Sequence, residues 1–232
     1  MGDSACGSLS NSQRKEEEML KKISQALFDP FFDQCAKELR KEIVGSCDSI
    51  LDVGCGGSSP ISLFSADLRH AVGVDGHAPS IARSREAGIH HEYHQMSALD
   101  IGKQFPERSF DCVLLCDLVE HLPKAESLRL IAIAERIAKK KVIIFTPNGF
   151  LRQGERDENP YQVHVCGWEV DEMKQLGYHV IGINGWKPLR TEEARIAWWP
   201  RFFWGKVSLL TQPLVLERPE WAFHLFCVKK IV

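Results

Sequence analysis

The sequence has no C-x-x-C pair, no unbroken apolar run fit to cross a bilayer and no surplus of positive charge. Its eight cysteines, at 6, 35, 47, 55, 112, 116, 166 and 227, are scattered. That spacing excludes a zinc finger or ribbon. With no charged n-region or apolar h-region in the opening M-G-D-S-A-C-G-S-L-S-N-S-Q, it points to reduced thiols in a cytoplasmic protein. Gly2 and Cys6 faintly resemble an acylation signal, but a flexible tail over 1–13 is the simpler reading. The 29 basic and 31 acidic residues leave a net charge of −2, so no global field favours nucleic acid. At 232 residues the chain is expected to form a single domain over 14–232, long enough to bury a substantial core.

What is present is organised around Ser49–Ser59, S-I-L-D-V-G-C-G-G-S-S. Ile50, Leu51 and Val53 read as the end of a buried strand interrupted by Asp52. Gly54, Gly56 and Gly57 supply a turn at which backbone can approach a ligand closely. Ser59 and Pro60 then suit a helix start, and a short helix over 60–67 is expected.

Before this stretch, Met19, Ile23 and Leu27, then Phe32, Ala36, Leu39 and Ile43, recur at helical spacing, divided by Pro30. An N-terminal helical cap over 14–45 is expected, with Phe28, Phe31 and Phe32 either in the core or over the cofactor site. After the turn, further strands read at 70–75, 90–96, 110–116 and 142–145, each followed or preceded by a helical pattern. That alternation predicts a parallel sheet with helices on both faces. Cys112 and Cys116 fall on one face of the fourth strand, as core. Lys139–Lys141 would sit favourably at the C-terminus of the preceding helix. A helix over 168–176 and strands over 178–184 and 221–229 finish the chain, with an apolar insertion at 187–220 between the last two strands.

The glycines narrow the ligand. A dinucleotide fingerprint needs a third glycine where Ser59 stands, and a phosphate loop needs a Lys-Ser/Thr that is absent. Asp75 lies 21 residues beyond Gly54, where the second strand of such folds offers a carboxylate to two ribose hydroxyls; the alternative is an N-cap of the next helix. Taken with Ser109-Phe110-Asp111, Val113–Asp117 and Glu120-His121-Leu122, the stretch resembles the class I S-adenosylmethionine-dependent methyltransferases, nearest the broad type-11/type-23 group of small-molecule enzymes. The resemblance runs from about Ile50 to Gly149. It implies a Rossmann-like, doubly wound α/β fold: a mostly parallel seven-stranded sheet with a terminal antiparallel hairpin strand.

The resemblance also implies the cofactor, S-adenosyl-L-methionine, and its wall. The methionine part would lie over Gly54, Cys55 and Gly56, with Asp52 and Asp117 near its ammonium end, and Leu118 would also border the cofactor. Asp75 and Gly76 would take the ribose. Ser97 replaces an acid that commonly meets the adenine edge, so adenine is expected on the Ser97 hydroxyl, the Ala98 backbone and the Leu99 side chain. Gly57-Ser58 stands where the family's motif often has glycine at 58.

Methyl transfer from a sulfonium is chiefly a matter of alignment, worth roughly 7–11 kcal/mol. A hydroxyl acceptor would gain a further ~10²–10⁴-fold from a general base. His164 and His121 are the candidate catalytic bases, each weighed against a purely structural role. Asp117, Glu120, His121 and His164 are also similar to a metal-binding arrangement of small-RNA 2′-O-methyltransferases and some quinone-pathway O-methyltransferases, although Asp replaces Glu at the first position. The reading adopted is metal-free, with a small or lipid-like molecule methylated at oxygen. An RNA methyltransferase and a non-catalytic partner subunit are the alternatives. Segment 198–216, W-W-P-R-F-F-W-G-K-V-S-L-L-T-Q-P-L-V-L, is a poor membrane span. It is expected to pack on its own domain, cover a pocket, touch a membrane surface or form a homodimer contact.

Overall fold

A computed structural model describes residues 30–155, 159–192 and 195–232, with side chains from residue 34 onward. Residues 1–13, expected as a flexible tail, the helical pattern expected before Pro30 and the side chains of Phe28, Phe31 and Phe32 lie outside the described residues. In chain order the main elements are α1 (Pro30–Ile43), β1 (Ser49–Val53), β2 (His70–Asp75), α2 (Ala78–Glu86), β3 (Glu92–Gln95), α3 (Ile101–Gln104) and β4 (Phe110–Cys116). They continue as α4 (Lys124–Ile137), β5 (Ala138–Pro147), α5 (Val170–Gln175), β6 (His179–Trp186), α6 (Arg201–Leu210), α7 (Gln212–Glu217) and β7 (Ala222–Lys230).

The seven strands form one sheet in the order β3-β2-β1-β4-β5-β7-β6. The first five in that order run parallel, and β7 enters antiparallel between β5 and β6. The strands bury both faces, as parallel strands covered by helices must. Leu51, Val53, Val113, Leu115, Val142 and Ile144 face one cluster with Leu130, Ala134 and Trp168. Their alternates Ile50, Cys112, Leu114, Ile143 and Phe145 face the other, with Leu39, Ile43, Ile61 and Phe64. Cys112 is core, as its position on the strand predicts.

Two local expectations are corrected. The short helix over 60–67 is a pair of 3₁₀ turns, Pro60–Leu63 and Ser65–Asp67, although Ser59 does cap the first by accepting from Ile61 N. Lys139–Lys141 do not close a helix, because α4 ends at Ile137 and they begin β5. Lys141 instead donates to the Glu42 carbonyl (2.6 Å) and carboxylate (3.2 Å), and Lys140 to Ser46 O (2.9 Å) and Asp111 (3.1 Å). The lysines therefore satisfy carbonyls at the end of α1, where helical carbonyls lack partners.

Residues 187–221, between β6 and β7, carry α6 and α7, which lie directly on β6. Glycine permits that approach. A Cβ at Gly182 would come to 2.3 Å of Val215 O and 2.4 Å of Ala222 Cβ, and one at Gly185 to 2.4 Å of Ser208 Oγ. Gly182→Ala is expected to cost about 1–3 kcal/mol by overpacking. A urea midpoint equal to wild type would show that the two elements separate without penalty.

Candidate active site

Because β1, β2, β3, β4 and β5 run parallel, their carboxyl ends share one edge, and the strand order reverses between β1 and β4. Ligands of open α/β sheets bind in the crevice at that point. The glycine turn leaves β1 there. Gly54 (φ +73°) and Gly56 (φ +58°) both take the left-handed conformation, which glycine adopts without a side-chain clash. Gly54 N and Cys55 N donate to Val74 O at 2.7 and 3.0 Å, hooking the turn onto β2. A Cβ at Gly56 would meet nothing within 4 Å, so the turn opens to the crevice. The Leu118 side chain closes over Gly54.

Asp75 ends β2. Its carboxylate accepts from Gly56 N (2.9 Å) and His77 N (2.7 Å), which aims it across the turn. His77, not Asp75, is the N-cap of α2. Ser97 caps the 3₁₀ turn Ala98–Asp100 through Leu99 N at 3.3 Å, so Ser97, Ala98 and Leu99 follow β3 on the same edge. Gly76 lies beside Tyr161 from the loop after β5, since a Cβ at Gly76 would stand 3.7 Å from the Tyr161 ring.

Asp52 lies beneath the turn, not on it. It is buried, and its Oδ2 accepts from Ser59 Oγ (2.6 Å) and pairs with His90 Nε2 (2.9 Å), while Oδ1 has no hydrogen-bond partner among the described residues. His90 is the residue that sequence reasoning missed. The signal was Gly73 in the middle of β2, where a Cβ would reach 2.9 Å from His90 Nδ1.

Asp117 directly follows β4, in the left-handed conformation (φ +47°) with its amide donating to Phe145 O at 2.9 Å. Asp117 is open to the crevice but crowded by protein, and the lost hydration raises its carboxyl pKa. Glu120 follows and is 2% exposed. Thr146, at the end of β5, donates to Glu120 Oε2 at 3.0 Å, and Oε1 has no hydrogen-bond partner among the described residues. Burial, reinforced by Asp117, pushes the Glu120 pKa well above the carboxylate range.

The loop after β5 returns to this corner. Val165 N and Cys166 N donate to the Glu120 carbonyl at 2.9 and 3.2 Å. The rings of His121 and His164 meet edge to face, 4.7 Å between centroids. His121 Nδ1 faces Val163 O (3.1 Å) and His164 Nδ1 faces Leu151 O (2.8 Å). A carbonyl only accepts, so both Nδ1 atoms carry hydrogen and the basic lone pair sits on Nε2. One ligand atom each from Glu120, His121 and His164 lies within 4.8 Å of the others. Two imidazoles and a buried carboxylate with an unpartnered oxygen suit a divalent cation. Beyond the ends of β5 and β6 and the start of β7 lies an open cavity of about 550 Å³, walled by Phe150, Trp186, Trp221 and Phe223, with Lys187, Arg190, Glu192 and Glu220 on its polar side.

The pieces match known proteins. The family model described as "Methyltransferase domain" matches residues 51–146. A ubiquinone biosynthesis O-methyltransferase of Aeromonas salmonicida is 36% identical over 136 residues, 56% of this chain and 53% of that protein. The protein of the same name from Hahella chejuensis is 35% identical over 100 residues, 41% of each chain. The chain thus spans about half the length, or less, of these curated relatives. In fold, the structure of a SAM-dependent methyltransferase from Archaeoglobus fulgidus aligns with a TM-score of 0.55 at 18% identity, covering 90% of this chain and 99% of that one. Residues 51–146 thus carry the match to the methyltransferase domain family, and the glycine turn, Asp75 and Asp117 meet at one crevice of a fold shared with that SAM-dependent methyltransferase structure.

Proposed function

We propose that this chain moves a methyl group from S-adenosylmethionine to a hydroxyl oxygen of a small or lipid-like acceptor. The observation that carries this reading is the His121–His164 pair beside the cofactor crevice, each with its basic nitrogen at Nε2. The printed names of the curated relatives, O-methyltransferases, support oxygen as the accepting atom.

When bound, S-adenosylmethionine supplies an activated methyl whose departure leaves a neutral thioether. The chain's own residues have three tasks. Gly54, Cys55 and Gly56 make room for the methionine part, and Asp75 accepts from the ribose hydroxyls. Ser97–Leu99 border the adenine, with Leu118 and Tyr161 as apolar cover. Asp117 is the carboxylate for the ammonium; Asp52, already committed to Ser59 and His90, has only Oδ1 to offer and mainly holds the turn. The acceptor lies toward the aromatic cavity, and its hydroxyl proton passes to Nε2 of His164 or His121.

A second reading is favoured by the Glu120 oxygen with no partner. Glu120, His121 and His164 would hold a divalent cation, which would lower the pKa of the acceptor hydroxyl and place it. The residues are shared, so the two readings separate by experiment.

Asp75→Ala is expected to weaken S-adenosylmethionine binding by about tenfold or more, the worth of charge-assisted hydrogen bonds; wild-type affinity by isothermal titration would remove Asp75 from the ribose site. The acceptor is sought by radiolabelled methyl transfer into metabolite, lipid, RNA and protein fractions. Label confined to RNA or protein would overturn the small-molecule reading. With an acceptor in hand, His164→Ala is expected to lower kcat by ~10²–10⁴-fold. A chelator that abolishes turnover, with restoration by magnesium and loss in Glu120→Gln, selects the cation. Turnover indifferent to chelator selects the imidazole base alone.

A further inference from the structure

The helix pair α6–α7 is turned inside out for a segment that packs only on its own domain. Its polar side chains face inward. Ser208, 1% exposed, accepts from Arg190 Nη2 at 3.1 Å, and Thr211 Oγ1 accepts from Trp186 N at 2.9 Å. Gln212 bridges Gly182 O (3.0 Å) and Gly185 N (3.1 Å), and the apolar anchor is Val215. Its large apolar side chains face out. Trp199 is 86% exposed, Phe202 74% and Leu210 79%, with Trp198, Phe203, Leu209 and Leu214 also exposed. On α6, Phe202, Lys206 and Leu210 are spaced by four and all exposed, and Leu214 is exposed on α7.

Charge identifies the occupant. On the outer face of 198–214 the charged residues are Arg201 and Lys206, with Arg195 before them and the first acid, Glu217, only at the far end of α7, in a chain whose net charge is −2. Arg201 and Lys206 are exposed beside the aromatic residues. Helices with bulky aromatic and aliphatic residues flanked by Lys or Arg lie in the plane of a lipid interface, drawn by buried apolar area and by anionic headgroups. No helix among the described residues is long and apolar enough to cross a membrane, so the contact would be peripheral. The bonds from Ser208 and Thr211 fix the pair to Arg190 and Trp186, which line the aromatic cavity.

We propose that the outer face of 198–214 is a docking surface for an anionic lipid bilayer, which sets the mouth of the cavity against the membrane. The inference stands apart from the methyl-transfer reading, because binding to lipid is measured without turnover.

The test is flotation of the full chain with phosphatidylcholine vesicles, with and without phosphatidylglycerol. Wild type is expected to float with the anionic vesicles, less so as salt rises. Trp199→Ser with Phe202→Ser is expected to lower the vesicle partition coefficient about tenfold or more. Arg201→Glu with Lys206→Glu is expected to remove the preference for anionic lipid. All four side chains are exposed, and an unchanged thermal melt confirms folding. Failure of wild type to float, or flotation unchanged in the aromatic variant, would overturn the proposal. So would a dimer by sedimentation equilibrium that Trp199→Ser dissociates, since a second copy would then own the face.

Discussion

Strand β1 is hydrogen-bonded on both sides by parallel neighbours, and the site hangs from its carboxyl end. Parallel pairing forces the chain to return to the opposite edge after every strand, so each strand delivers its last residue to the same edge. The glycine turn, Asp75, Ser97, Asp117 and Thr146 come together for that reason alone. The reversal of order between β1 and β4 leaves the gap they border. Beneath it, Asp52 ties the far side of the turn, through Ser59, to the segment before β3, through His90. A buried carboxylate is costly without such partners. Its two bonds make the turn's path depend on packing from three elements.

The chemical end of the crevice rests on a different constraint. Glu120 is buried with one oxygen bonded to Thr146 and one oxygen unpartnered, an arrangement that burial alone disfavours. Burial moves its pKa upward, and the Glu120 carbonyl is what fastens the incoming loop at Val165 and Cys166. That loop also carries His164 to His121 and Tyr161 to Gly76, so both contacts share one support. A strained acid beside two imidazoles is a common signature of a working site.

Much of this was legible along the chain. Buried parallel strands read as apolar runs, and the glycine turn read as a turn because few other residues take its backbone angles. The type of each strand and the order of elements followed. Local sequence misjudged the lysines at 139–141, which suit a helix C-terminus by charge; Lys140 and Lys141 instead serve the end of α1 across nearly a hundred residues of sequence. It also read Pro60–Asp67 as helix, because an N-cap and a proline signal a start without saying how far the turn continues. His90 passed as a strand residue, since its partner Asp52 lies 38 positions away.

By itself the sequence determined the alternation of strands and helices up to β5, the glycine turn after β1 and the acid at the end of β2, since these depend on backbone freedom and on the period of apolar residues. Only the tertiary structure decided that Glu120, His121 and His164 meet, that Asp52 faces inward and that α6 shows its aromatic residues to solvent. Those outcomes are set by contacts between residues far apart in sequence, whose distances no local pattern encodes.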